Sequence, residues 1–223
     1  MTPPVLPAEG RRIGLIGKGG SGKSTVAAHV LAHWADEGVD AVGVDMDKPG
    51  DDERGSLYSW AELVDLGVPV YPAPAHTRLG QEVRRLTPGK GLGLVDTGAW
   101  ERTAGGPHYA VLSSVDLVVL TLKPTDMEMD RAGSVLAAIE HLESVGASVP
   151  RLVILLTMVN SSAASGPETR TALTDAGYTV LRTQIPQSDA KDGYAQSFGK
   201  PIRIAGGSPM QLLAAELLTE VAR

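Results

Sequence analysis

Gly17-Lys18-Gly19-Gly20-Ser21-Gly22-Lys23-Ser24-Thr25 follows the apolar run Ile13-Gly14-Leu15-Ile16 directly and opens a helix-forming stretch. A strand that turns through glycines into a helix aims a row of backbone N–H groups at one point, where the helix N-terminus adds partial positive charge. Gly17, four residues, then Gly22-Lys23-Ser24 is the spacing that wraps a polyphosphate. In that role Gly17, Gly19, Gly20, Ser21 and Gly22 supply the wrapping backbone, and Lys23 neutralises the β- and γ-phosphates. The Ser24 hydroxyl completes a Mg²⁺ shell, and Thr25 supports the α-phosphate side. The expected ligands are therefore ATP and Mg²⁺, and the expected reaction is ATP hydrolysis to ADP and phosphate.

Outward from this loop, short β-rich apolar runs alternate with helix-length segments. Strands are expected over 12–17, 41–45, 68–71, 92–96, 116–122, 151–159 and 179–185. Helices are expected over 22–38, 57–66, 78–86, 128–146, 167–177 and from 209 to the C-terminus, several with glycine at the stop. Val135, Leu136, Ile139 and Leu142 give the clearest helical stripe. This alternation predicts an α/β fold, a doubly wound and mostly parallel sheet of about seven or eight strands covered by helices on both faces. The loops 46–55, 97–107 and 160–166 each follow a strand, which puts them at the carboxyl edge of the sheet, where ligands bind.

With 223 residues and 43% hydrophobic content, the chain can bury one good core, and 4% aromatic content makes that core aliphatic. We expect a proline-containing tail over 1–10 and a single domain over 11–223. No cysteine is present, which excludes disulfides, thiolate metal sites and cysteine-held clusters. The first ten residues carry Pro3, Pro4 and Pro7 and no apolar run, so a cytoplasmic protein is expected. Net charge is -6, yet the acidic excess lies wholly in residues 1–150; residues 151–223 hold 7 basic and 6 acidic side chains. A local basic face in the last third is compatible with that distribution.

A second lysine inside the loop, Lys18-Gly19-Gly20-Ser21-Gly22-Lys23, refines the pattern and resembles the deviant Walker A motif of the ParA/MinD family. The resemblance implies a dimer that closes around ATP, with Lys18 reaching across to the partner's nucleotide. Val44-Asp45-Met46-Asp47 and Leu94-Val95-Asp96-Thr97 then fall where that family carries its acids. Asp96 would hold Mg²⁺ through water, and Asp47 would orient or deprotonate the attacking water, while Asp45 holds the loop; residue types alone leave the division between Asp45 and Asp47 open. The family shows Asp-x-Asp-Pro-Gln here, whereas this chain reads Asp45-Met46-Asp47-Lys48-Pro49-Gly50.

The similarity extends along nearly the whole chain, through Ser56-Leu57-Tyr58-Ser59-Trp60, Lys123-Pro124-Thr125-Asp126, Leu155-Leu156-Thr157-Met158-Val159 and Thr183-Gln184-Ile185-Pro186 to Tyr194 and Gly199-Lys200-Pro201-Ile202. By this resemblance Met158, Asn160 and Pro186 contact adenine. Only about ten residues precede the first strand, so the chain looks like the short, single-domain plasmid-partition (ParF-like) type. Such proteins bind DNA non-specifically as ATP dimers, lie on the nucleoid, and act with an adaptor of the ParB or centromere-binding kind. Arg170, Arg182, Lys191, Lys200 and Arg203 are the basic residues assigned to phosphate contacts, with ordinary surface charge the other reading of each.

Other arrangements are weaker. His29 and His33 have metal-ligand spacing on a helix but lack the glutamate of a zinc protease motif. Ser113 and Ser114 lack a nucleophile elbow. Membrane positioning as in MinD requires a basic amphipathic tail, and 208–223 offers only Arg223 against Glu216 and Glu220. A metabolic ligase of the dethiobiotin synthetase or cobyrinate type stays open as the alternative function.

Overall fold

The computed structural model describes residues 5–47, 56–73, 79–100, 107–190 and 193–223. Six strands form one parallel sheet: β1 (Arg11–Gly17), β2 (Ala41–Met46), β3 (Val70–Pro72), β4 (Leu92–Thr97), β5 (Leu117–Leu122) and β6 (Arg151–Leu156), in the order β3-β2-β4-β1-β5-β6. The helices are α1 (Lys23–Asp36), α2 (Ser56–Leu63), α3 (Leu79–Leu86), α4 (Pro107–Leu112), α5 (Asp126–Ser144), α6 (Ser165–Asp175) and α7 (Pro209–Val221). Leu6 packs into the core, and Lys90 N–H donates to the Ala8 carbonyl, so residues ahead of β1 are tied to the sheet's base.

The inner strands are mainly apolar because both of their faces are covered, with charged residues confined to their ends; the edge strand β3 is largely exposed. Their side chains alternate between two cores. Ile13, Leu15, Leu92, Leu94, Leu117, Val119, Val153 and Leu155 face α1, α2 and α7, where Leu31, Trp34, Trp60, Leu213 and Leu217 pack. Ile16, Val95, Val118, Leu120, Leu122, Ile154 and Leu156 face the other side, against Leu79, Val83, Leu112, Val135 and Leu173. Trp34 Nε1 donates to the Ala214 carbonyl at 3.0 Å, which joins α1 to α7.

From β1 the chain runs outward to one side for β2 and β3, returns to β4, then crosses to β5 and β6 on the other. The connections therefore diverge around the carboxyl end of β1, the place where an open parallel sheet forms its ligand crevice. Register aligns Asp45 with Asp96 across β2 and β4, Leu15 with Asp96 across β1 and β4, and Gly17 with Thr121 across β1 and β5. The phosphate loop and two carboxylates thus share one edge.

The sheet is one strand short of the lower end of the expected seven or eight. Residues 179–185 meet β6 at one bridge, Ile154 with Val180, and at one further hydrogen bond, from the Ile185 N–H to the Leu156 carbonyl at 2.9 Å; a second bridge, Val159 with Pro186, lies just beyond both segments. Between them, the Arg182 and Thr183 N–H groups donate to the Glu216 carboxylate on α7 at 2.7 and 2.9 Å. The Arg170 guanidinium on α6 donates to the Leu181 and Arg182 carbonyls at 2.7 and 3.3 Å. Side chains from two helices claim the backbone groups that a ladder would pair. β6 stops at Leu156 instead of continuing to 159, and Met158 takes a left-handed φ of 52° just beyond it. Helix α4 falls where a loop was expected to end, with Pro107 at its first residue, a position where a missing N–H is no loss.

Candidate nucleotide site

The turn from β1 into α1 depends on glycine for two separate reasons. At Gly17 a Cβ would collide with the Thr121 side chain and carbonyl of the neighbouring strand, so the backbone can lie this close only without one. Gly20 and Gly22 have φ of 76° and 87°, which reverse the chain and deliver it to the first turn of α1. The loop is pinned on three sides. Ser21 Oγ meets Thr121 Oγ1 at 2.7 Å, Trp100 N–H donates to the Gly17 carbonyl at 2.9 Å, and Trp100 Nε1 donates to Ser134 Oγ on α5 at 3.1 Å.

Lys23 is buried inside this turn, its ammonium donating to the Gly17 and Lys18 carbonyls at 3.2 and 3.1 Å. Burial lowers its pKa, while the carboxylates of Asp96, Asp47 and Glu128 oppose that shift. Such a cation is poorly compensated, and an anion arriving at the loop relieves it.

Asp96 ends β4 fully buried, and neither of its carboxylate oxygens has a hydrogen-bond partner. Burial first, then the neighbouring Asp45, push its pKa up to about 7; the Ser24 hydroxyl and Lys23 pull the other way, although no group meets hydrogen-bond geometry with it. An orphaned buried carboxylate beside the Ser24 hydroxyl has the character of a hydrated-cation site. Among the described residues no cluster of three or more His, Asp or Glu forms a metal site of its own.

Asp45, at the end of β2, accepts from the backbone N–H of Asp47 at 2.8 Å and of Tyr58 at 2.7 Å. It fastens the start of α2 to the sheet edge, and burial raises its pKa. Asp47 is partly exposed and accepts from the Ser56 hydroxyl at 3.1 Å. Lys48 and the acidic run 51–53 lie outside the described residues.

Lys18 behaves unlike Lys23. Its side chain is 41% exposed and pairs with Glu128 on α5 at 3.3 Å, whose own side chain is only 6% exposed. Glu128 was not assigned a role from the sequence; the signal available was an acid in the first turn of a helix following the Lys123-Pro124-Thr125 run.

On the far side of the loop, a cavity of about 420 Å³ joins Ser21, Gly22 and Thr25 to Met158, Asn160 and Pro186. Met158 reaches over Gly22, its Cε 3.7 Å from where a Cβ would stand there, and Asn160 Oδ1 accepts from the Ser162 N–H at 3.0 Å. Lys123, Thr125, Gln187, Ser188, Asp189 and Tyr194 complete the wall and were not assigned to the site from the sequence. The fold brings this cavity, the loop and Asp96 into one crevice, with a base-sized pocket at one end and a phosphate cradle at the other.

The basic residues assigned to DNA do not form one cluster. Arg170 is occupied with backbone carbonyls, and Arg182 lies exposed 3.6 Å from Glu216. Lys200 and Arg203 sit on the segment leading to α7, and Lys191 lies outside the described residues.

A phosphate-wrapping loop at the carboxyl edge of a doubly wound parallel sheet, with a buried acid and a base-sized cavity beside it, defines a nucleotide-binding α/β protein. Residues 15–200 match the CbiA family, the CobQ/CobB/MinD/ParA nucleotide binding domain, and the chain belongs to that family. Solved structures agree on the fold. Cobyrinic acid a,c-diamide synthase from Mycobacterium smegmatis, with bound ATP analog and magnesium, superposes with a TM-score of 0.70 at 16% identity, covering 94% of this chain and 92% of that one. The cell division ATPase MinD of Pyrococcus furiosus gives 0.67 at 18% identity, over 94% and 99% of the two chains. A ParA family ATPase from Chlorobium tepidum TLS gives 0.64 at 17%, over 94% and 97%. At these identities the likeness is one of fold. No curated protein matches the chain.

Proposed function

We propose that this chain is an ATP-hydrolysing switch of the ParA/MinD kind that dimerises on ATP, binds DNA non-specifically, and positions or segregates a plasmid or other cargo with a ParB-type adaptor. The observation that carries this reading is Lys18: a half-exposed cation at the mouth of the phosphate loop, held within its own chain by one side chain of Glu128. A lysine needed only for its own nucleotide would sit inside the loop, as Lys23 does. Lys18 is instead placed to leave Glu128 for a second chain's nucleotide.

ATP and Mg²⁺ fit the site by its own chemistry: the loop amides and Lys23 suit the phosphates, and the unpartnered oxygens of Asp96 with Ser24 suit a hydrated cation. Neighbours of the same fold hold an ATP analog with magnesium or Mg-ADP. Mg²⁺, when bound, offsets charge on the β- and γ-phosphates. Lys23 orients the phosphates, Asp96 remains ionised to hold the cation's water, and Asp47 takes the proton of the attacking water or orients it. Met158, Asn160 and Pro186 frame the base.

The segregation reading is favoured over membrane positioning because α7 turns Leu213, Leu217 and Val221 into the core, which leaves its apolar face unavailable to a bilayer. Among the described residues no helix is long and apolar enough to cross a membrane. Arg182, Lys200 and Arg203, with Arg170 and Lys191, are the proposed phosphate contacts, as in partition ATPases of the ParF-like type. The test is duplex binding with ATP across a salt series. Wild type binds in a sequence-indifferent, salt-sensitive manner, and Lys18→Ala and Lys23→Ala do not. ATP-dependent DNA binding retained by Lys18→Ala removes the cross-dimer role, and phosphate release that requires an added carboxylate acceptor replaces the switch with a ligase.

A further inference from the structure

A second cavity, about 650 Å³, lies beside the nucleotide crevice; the reading above uses its rim residues Lys200 and Arg203 for DNA and Pro186 for the base, and gives its interior no role. Its floor is α1, through His29 and His33, and its other walls are the turn at Tyr194–Gln196, the Lys200 to Arg203 stretch and the first turn of α7. Pro186, Ser188, Tyr194 and Met210 line both cavities. Its volume suits a small organic molecule. His29 and His33 lie five and nine residues beyond Ser24 on α1, so about 8 and 14 Å of helix rise separate them from the phosphate end. The histidine floor therefore lies away from the phosphate end of the crevice.

The lining has a definite charge character. Among the described residues it carries Lys200, Arg203 and two histidines and no carboxylate, in a chain of net charge -6, while the carboxylates of Asp36 and Glu37 act on His33 from outside the lining. Arg203 is exposed and makes no ion pair with any described residue. His33 is 2% exposed, yet its ring makes no hydrogen bond with a described group, and a neutral imidazole offers both a donor and an acceptor. His29 is held in orientation, with Nε2 3.3 Å from Ser197 Oγ and its ring edge-on to Tyr194 at 5.2 Å. Tyr194, Met210, Pro201 and Ile202 make the remaining wall apolar. We propose that this cavity is a second ligand site for a small organic anion, a flat apolar body bearing one carboxylate or phosphate, which lies against Tyr194 and Met210 with its charge toward Arg203.

The site can be tested on full-length protein saturated with Mg-ADP, following the ring resonances of His29 and His33 while 2-naphthoate, phenyl phosphate or inorganic phosphate is added. Both aromatic anions are expected to shift the two histidines without displacing ADP, and inorganic phosphate to do so at least tenfold more weakly. Arg203→Ala should weaken 2-naphthoate at least fivefold, and Arg85→Ala, on exposed α3, should leave it unchanged. Failure of either aromatic anion to move His29 and His33, equal binding in Arg203→Ala, or displacement of ADP overturns the proposal. A short DNA duplex that moves the same resonances when the aromatic anions do not assigns the basic rim to DNA and likewise overturns it.

Discussion

Two lysines five positions apart in one loop meet opposite environments. Lys23 is enclosed by the turn, loses water, and rests on two backbone carbonyls; Lys18 stands half in solvent and, among the described residues, pairs with the buried Glu128 from another part of the fold. One is committed to whatever the loop holds; the other keeps its ammonium half in solvent and can change partners, at the cost of leaving the buried Glu128 carboxylate unpaired. The contrast teaches that charge in the motif supplies affinity where it is buried and choice where it is exposed.

The largest expected effect comes from the enclosed lysine. Lys23→Ala should weaken Mg-ATP binding by about 100-fold or more, because a charge-assisted phosphate contact in a dry site is worth roughly 3 kcal/mol. Calorimetric titration checks this, and affinity within tenfold of wild type breaks the contrast. Lys18→Ala should keep nucleotide affinity within about threefold while weakening the ATP-dependent dimer by about tenfold or more, read by sedimentation velocity. Equal loss in both measurements would mean that Lys18 serves its own chain's nucleotide.

The carboxylate opposite Lys23 gives a pH test. Asp96 has its pKa raised to about 7, so the ligand-free protein keeps that stability below the ordinary carboxylate range and loses it as pH rises through about 7. Asp96→Asn should therefore raise the thermal midpoint of ligand-free protein near pH 8 by about 5 °C, on the order of 2 kcal/mol, while removing the extra stabilisation that Mg-ATP supplies. A lower midpoint in the ligand-free variant contradicts the assigned burial. His29 acts with the opposite sign. Its pKa is lowered to about 4, so its contribution is complete above about 6.5 and lost as pH falls toward 4. His29→Gln should flatten acid destabilisation by about 1 kcal/mol in that window, measured by urea unfolding. Last and smallest, Glu128→Gln releases Lys18 and should tighten the ATP dimer by about two- to fivefold. A weaker dimer would make Glu128 part of the interface.

Much of this was legible beforehand because it is local. The loop, its glycines and the strand before it lie within a dozen residues, and the sheet's two-sided burial shows as unbroken apolar runs. The acids at the ends of β2 and β4 were legible for the same reason. The seventh strand was misread because 179–185 has strand composition while its fate rests on Glu216 and Arg170, which lie on other elements. Glu128, Ser188, Tyr194 and Met210 were not assigned to the site because nothing near them in sequence marks the partner they meet.

By itself the sequence determined an α/β sheet, a polyphosphate cradle and the residue types around it, since strand period, glycine turns and helix starts are properties of neighbours along the chain. Only the tertiary structure decided that Lys23 is buried and Lys18 is not, that Asp96 is orphaned, and that a cavity lined by two histidines, Lys200 and Arg203 adjoins the nucleotide crevice. Burial and charge neighbourhood are sums over groups distant in sequence, and they exist only once the sheet has brought its carboxyl edge together.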